Sequence, residues 1–136
     1  MAIMQSKMQA LAIARIIESG DWLAVQRVSD VEDQSSRNLS ANISAWKEQG
    51  LILTISFQGE DYYPTFALDP QRYCLPRPEL KMILTTLGDR SGWELAFWFD
   101  SPNSYLGGQR PKKLLATDPE QVLFAARMEE QGIEHG

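Results

Sequence analysis

Cysteine and histidine are almost absent from this chain of 136 residues, which contains one of each. A single cysteine, Cys74, excludes an intrachain disulfide and a cysteine-rich metal site. The single histidine, His135, lies one residue from the C-terminus, where chains usually fray. A catalytic triad or a metal site built on histidine would depend on that tail residue. We therefore expect no metal, no cofactor and no enzyme activity.

Long apolar runs and an excess of basic residues are also missing. No stretch approaches the roughly 18 apolar residues of a membrane span, and the first 19 residues do not resemble a signal peptide. We therefore expect a cytoplasmic protein with no membrane contact. The 13 basic and 18 acidic residues give a net charge of −5. Because an acidic chain repels the phosphate backbone, DNA binding would need a local basic face.

The N-terminal region, residues 1–70, has the pattern of a helix-turn-helix followed by a β-hairpin. Apolar residues at helical spacing predict three helices, over residues 3–19, 22–31 and 37–49. Acidic and hydroxyl residues predict a turn with a helix cap over residues 32–36. Alternating apolar residues then predict two strands, over residues 51–57 and 62–68, with a turn at residues 58–61. Pro64 lacks an N–H group and predicts that the second strand is an edge strand.

The first predicted helix is apolar over most of its circumference, because its apolar residues fill two adjacent stripes. Such a helix must be covered on two sides. Either the two regions of its own chain bury it, or it pairs with the same helix of a second copy. We predict a homodimer, because one small domain can hardly cover both stripes.

This order of elements is that of a winged helix-turn-helix, which lays the second helix of its pair in the major groove. Polar side chains lie opposite the apolar stripe of the third predicted helix. They are the candidate DNA contacts: Arg37, Ser40, Asn42, Ser44 and Lys47. The alternative is a helix-turn-helix scaffold whose polar face is only hydrated. Any operator DNA is expected to bind weakly.

The C-terminal region, residues 71–136, is predicted to be helical, with the boundary near Pro70 to Pro76. Apolar spacing predicts helices over residues 80–87 and 93–99, and a short one that begins at Pro111. A last helix is predicted to start at residues 117–120, to run to about Glu130 and to be closed by Gly132. We therefore expect a mainly α fold with a small β-hairpin, made of a winged helix-turn-helix-like N-terminal half and a helical C-terminal half. The aromatic run over residues 93–99 is either core or a stacking site for a ligand.

The stretch Trp98–Leu115 contains a distinctive loop and helix start with these residues: Asn103, Leu106, Gly107, Gly108, Pro111, Leu114 and Leu115. This motif resembles the signature of the Xre/MbcA/ParS toxin-binding domain, which lies at the C-terminus of certain bacterial antitoxins. The resemblance covers roughly residues 80–130. It implies a protein that binds a toxin carrying a RES domain and often binds its own operator through an upstream helix-turn-helix.

The loop residues also indicate a binding surface without the resemblance. Gly107 and Gly108 permit a sharp reversal, which leucine side chains would anchor to the core. A dense basic cluster follows, and we expect Arg110 and Lys112 to point outward toward an acidic or phosphate-bearing partner. An ordinary hydrated helix start is the other interpretation. The candidate partner-binding residues are Asn103, Leu106, Gly107, Gly108, Arg110, Lys112 and Lys113.

Two functions follow from these patterns. The first is a non-enzymatic bacterial regulator of the antitoxin type, which binds a toxin protein through its C-terminal half and operator DNA weakly through its N-terminal half. The second is a stand-alone winged-helix regulator of transcription. The acid pairs available to an enzyme are Asp100 with Glu94 and Asp118 with Glu120. Neighbouring acids at helix starts are normally caps.

Overall fold

A computed structural model describes the backbone of residues 2–25 and 34–135 and the side chains of residues 7–25 and 41–132. Within these ranges the fold is mainly helical with a small antiparallel sheet, as predicted. The helices are α1 (Ala2–Glu18), α2 (Gln34–Glu48), α3 (Pro78–Leu87), α4 (Gly92–Asp100), α5 (Pro111–Leu114) and α6 (Pro119–His135). The strands are β1 (Trp22–Ala24), β2 (Ile55–Phe57), β3 (Glu60–Pro64), β4 (Leu68–Asp69) and β5 (Leu75–Pro76).

Local signals place most helix ends where they were predicted. At the start of α4, the Ser91 hydroxyl accepts the Glu94 N–H and the Glu94 carboxylate accepts the Ser91 N–H, a reciprocal capping box. The predicted end of the last helix is wrong, because α6 runs through Gly132 to its end at His135. Glycine permits a helix to end but does not impose an end. No helix in the described ranges is long and apolar enough to cross a membrane.

A three-stranded antiparallel sheet has the strand order β1-β3-β2. β1 occupies residues 22–24, where a helix was predicted, so that prediction is wrong there. Trp22 and Ala24 are buried while Leu23 is exposed, which is the period of two of a strand, and all three pair with β3. Residues 26–33, which hold the rest of that predicted helix and part of the next turn, lie outside the described residues.

The predicted hairpin is present but shorter than expected, because residues 51–54 are not in a strand and Thr65–Ala67 forms a 3-10 helix. β3 is the central strand of the sheet, so the edge position inferred from Pro64 is wrong. Pro64 lies opposite Trp22 at the last position of β3. Because the N–H of Thr65 donates to the C=O of Asp21 over 2.7 Å, the nitrogen of Pro64 faces the other neighbour. On that side β2 begins at Ile55, opposite Tyr62. No residue of β2 lies opposite Pro64, so no ladder hydrogen bond is lost.

One hydrophobic core draws residues from both sides of Pro70. Phe99 of α4 is fully buried, and its ring centre lies 5.5 Å from that of Phe66. The ring of Phe66 meets that of Trp22 edge-on at 5.7 Å. Other large, fully buried side chains are Ile16, Ile43, Ile55, Leu80, Ile83, Leu87, Leu115 and Val122. Burying each such side chain stabilises the fold by roughly 1.5–3 kcal/mol, so both halves contribute to the same stabilising core.

The first turn of α4 lies directly against the segment that leads into β2. A Cβ atom at Gly92 would lie 2.2 Å from the carbonyl oxygen of Thr54, closer than any side chain can approach. Beside it, Nε1 of Trp93 donates to the carbonyl oxygen of Ser56 over 2.9 Å. Glycine at position 92 therefore permits the contact that joins the C-terminal helices to the hairpin.

We expect Gly92→Ala to destabilise the protein by about 1–3 kcal/mol, because the added methyl group must push the helix away from a backbone oxygen. Gly132→Ala is the matched control, since it lies in α6 with nothing described within 4 Å of an added Cβ. It should be neutral or stabilising by up to about 1 kcal/mol. Urea unfolding measures both, and equal midpoints for the two variants would contradict the proposed contact.

Candidate partner-binding site

The loop after α4 is closed by hydrogen bonds that converge on Asn103. Its N–H donates to the carbonyl oxygen of Gln109 over 3.0 Å, and its C=O accepts the N–H groups of Leu106 and Gly108 at 3.0 and 2.9 Å. Its side-chain oxygen accepts the N–H of Tyr105 at 2.9 Å. Asn103 thus organises the loop instead of projecting from it.

The predicted reversal at Gly107 and Gly108 is confirmed, because both residues have positive φ, +65° and +85°. Residues with side chains are strained in that region. Leu106 and Leu115 are buried, so apolar anchors hold both ends of the loop and helix against the core. Tyr105 remains 40% exposed on the outer side. The loop therefore displays an aromatic side chain from a rigid base.

The basic cluster does not point outward as predicted. Nε of Arg110 donates to the main-chain oxygen of Asp100 over 2.6 Å, and the side chain of Lys112 is only 12% exposed. Only Lys113 of the three is exposed. For Lys112 the physical reason is that the carboxylate of Asp100 is buried and requires a cationic partner. Arg110 instead satisfies a main-chain oxygen at the C-terminal end of α4.

Four charged residues form a group that we call the Asp100 cluster: Arg15, Asp21, Asp100 and Lys112. Nζ of Lys112 lies 2.5 Å from Oδ1 of Asp100 and 2.6 Å from Oδ2 of Asp21. Nε of Arg15 lies 3.4 Å from Oδ2 of Asp100, close enough for an ion pair but without hydrogen-bond geometry. The cluster therefore joins α1, the start of β1, the end of α4 and α5.

The ammonium group of Lys112 keeps its proton in this setting. Burial by itself lowers the pKa of Lys112, but hydrogen bonds and charge attraction from Asp100 and Asp21 outweigh burial and raise this pKa above its ordinary value of 10.5. The lysine is therefore charged at neutral pH. Its role in the cluster is to compensate a carboxylate that is 4% exposed.

We expect Lys112→Met to destabilise the protein by about 3 kcal/mol, because it leaves the buried Asp100 carboxylate with only the ion pair to Arg15, which lacks hydrogen-bond geometry. Lys113→Met is the control, since Lys113 is exposed and forms no ion pair with any residue of the described ranges. Thermal melts at pH 7 compare the two variants. A loss of stability that is equal in both would contradict a specific role for Lys112.

The same ion pairs set an alkaline limit. Because the pKa of Lys112 is higher in the folded than in the unfolded state, its contribution is complete below about pH 10.5 and is lost as the pH rises through the folded value. The stability difference between the parent and Lys112→Met should therefore shrink only in strong alkali.

The candidate DNA contacts belong to α2, whose inner face buries Ile43. Three of them are exposed: Asn42, Ser44 and Lys47. The side chains of the other two lie outside the described residues: Arg37 and Ser40. The exposed face of α2 thus carries one described cation, at Lys47. The hairpin turn that follows α2 consists only of Gln58 and Gly59, because Phe57 pairs with Glu60.

A cavity of about 470 Å³ opens between α4, the loop and α6. Its walls contain three aromatic and three charged side chains: Phe97, Trp98, Tyr105, Arg90, Glu94 and Glu129. The sequence alone does not reveal this cavity, because its walls come from three separate segments. The one signal of the cavity in the sequence was the aromatic run over residues 93–99. Of the aromatic residues in this run, only Phe99 is fully buried.

The outer face of α1 exposes large apolar side chains. Met8 and Leu11 are 68% and 71% exposed, whereas Ile16 farther along the same helix is fully buried. The first described turns of α1 thus extend beyond the core while the last turns are part of it.

The acid pairs considered for catalysis are occupied by structural roles. Asp100 is held by Lys112, and Asp118 and Glu120 are exposed at the start of α6, where negative charge stabilises a helix.

Comparison of the chain with protein-family models, curated proteins and solved structures gives no match.

Proposed function

We propose that the protein is a cytoplasmic, non-enzymatic regulator of the antitoxin type, which binds a toxin protein through the loop that precedes α5. The observation that supports this is a rigid loop, closed on Asn103, that holds Tyr105 exposed beside a cavity. Preorganised aromatic anchors bind well because little entropy is lost on association. The resemblance to the Xre/MbcA/ParS domain supports a toxin with a RES domain as the partner.

The proposed surface differs from the one that the sequence indicated. Its exposed side chains are those of Ser104, Tyr105, Gln109 and Lys113. Arg110 and Lys112 act beneath it, since both bind Asp100 and thereby fix the base of the loop. Replacing either of them would disturb the fold, so neither can test the surface.

We expect Tyr105→Ala to weaken binding of the RES-domain toxin proposed as the partner about tenfold, the cost of losing a modest aromatic hot spot. Tyr73→Ala is the matched control, because Tyr73 is almost fully exposed in the connection between β4 and β5. Calorimetry measures affinity, and thermal melts show whether either variant unfolds. Parental affinity of a folded Tyr105→Ala would place the surface elsewhere, and absence of binding by the parent would contradict the toxin partner.

A homodimer formed through α1 is the second part of the proposal. Met8 and Leu11 lie three positions apart, so they share one helix face, and both are exposed in the single chain. Covering them removes apolar area from water at roughly 25 cal/mol per Å². A second copy presents the same apolar face, as two-fold pairing requires.

We expect sedimentation equilibrium at micromolar concentration to give twice the monomer mass of 15.4 kDa. Leu11→Glu should shift the protein toward monomer, because it places a carboxylate in an apolar contact. Met82→Glu is the control, since Met82 is an exposed apolar residue of a different helix, α3. A parent that sediments as a monomer would contradict the dimer.

A stand-alone winged-helix regulator is the alternative function. The sheet order β1-β3-β2, with α2 directly before the hairpin, supports a winged-helix arrangement, and Asn42, Ser44 and Lys47 are free to contact DNA. This alternative requires binding of the gene's own upstream duplex by the chain alone. With so few cations the binding should be weak and should fall between about 50 and 200 mM salt.

A further inference from the structure

The cavity between α4, the loop and α6 has a composition suited to one kind of ligand group. Its volume of about 470 Å³ falls within the roughly 300–1,000 Å³ of small-ligand pockets. Three of its residues are aromatic: Phe97, Trp98 and Tyr105. The faces of such rings carry negative potential and attract organic cations within about 6 Å.

The charged residues around the cavity also favour a cation, as the aromatic rings do. Arg90 contributes the positive charge of the lining, but its guanidinium is already bonded to the carboxylate of Glu130 and to the carbonyl oxygen of Leu87. Glu94 and Glu129 line the cavity and form no ion pair with a described residue. Glu94 accepts one hydrogen bond, from the N–H of Ser91. The lining therefore has an excess of negative charge.

The backbone adds to this excess. α4 ends at Asp100, immediately before the cavity residues Ser101 and Pro102. The C-terminal end of a helix carries a partial negative charge and favours nearby cations. An anionic ligand would be repelled by the two carboxylates, whereas a cation gains from the rings, the carboxylates and the helix end.

We propose that this cavity receives an arginine side chain of the partner protein. Arginine fits better than lysine because its planar guanidinium stacks on aromatic rings and offers several N–H donors to carboxylates. The cavity shares Asn103, Ser104 and Tyr105 with the proposed partner surface, so an arginine beside the contact with the loop would reach it. The source of the arginine rests on the proposed function, whereas the preference of the cavity for a cation does not.

The test uses two small probes and a matched pair of variants. N-acetyl-arginine methylamide should shift the indole N–H signal of Trp98 in a ¹H–¹⁵N spectrum, and the isosteric, uncharged N-acetyl-citrulline methylamide should not. Glu129→Gln should weaken arginine-probe binding about fivefold, the effect of a partly exposed charge pair. Glu120→Gln, on the exposed start of the same helix, should leave it unchanged. Equal shifts with the two probes, or none with either, would overturn the cation site.

The second arm uses the RES-domain toxin. Glu129→Gln should lower its affinity about fivefold while Glu120→Gln leaves it unchanged. If the arginine probe binds but the toxin does not bind even the parent, the proposed function fails and the cation site stands. If the toxin binds the parent and Glu129→Gln equally, the cavity does not receive a partner arginine and the present inference fails while the proposed function stands.

Discussion

The carboxylate of Asp100 lies at the end of α4 with almost no access to water, and its charge must be matched by cations from elsewhere in the chain. Lys112 supplies one from α5 and Arg15 approaches from α1, while Arg110 binds the main-chain oxygen of the same residue. Lys112 also binds Asp21, directly before β1, so four segments are held at one point. The positions of the loop, of α5 and of the cavity depend on this arrangement, because all three adjoin the end of α4.

This use of basic residues changes the character of the candidate surface. Arg110 and Lys112 would have made the surface attractive to acidic partners, but both are turned toward Asp100. Beside the loop lie the exposed Tyr105 and Lys113 and a cavity lined by Glu94 and Glu129. The cavity lining thus carries an excess of negative charge, which is the opposite of what the local sequence QRPKKLL indicated.

The features that local sequence could predict are those with local causes. The helix start at Pro111 and the reversal at Gly107 depend on neighbouring residues only, and they lie where they were expected. The capping box at Ser91 has an equally local cause. β1 was missed because Trp22–Ala24 fits a helical pattern equally well, and only pairing with β3 decides. The burial of Asp100 and the direction of the Lys112 side chain were missed for a different reason. Arg15, which pairs with Asp100, and Asp21, which pairs with Lys112, are both remote in the chain. The cavity required the tertiary arrangement of three segments.

The pairing of Asp21 with Lys112 has a consequence for the order of events during synthesis. The two residues are 91 positions apart, and ribosomes add about 5–20 residues per second. Lys112 is therefore synthesised roughly 5–18 s after Asp21. Phe99 completes the core around Trp22 and Phe66, and it is synthesised only slightly before Lys112. During that interval the nascent N-terminal half keeps apolar surface open to water. Chaperones and proteases would have their best access to the chain at this stage.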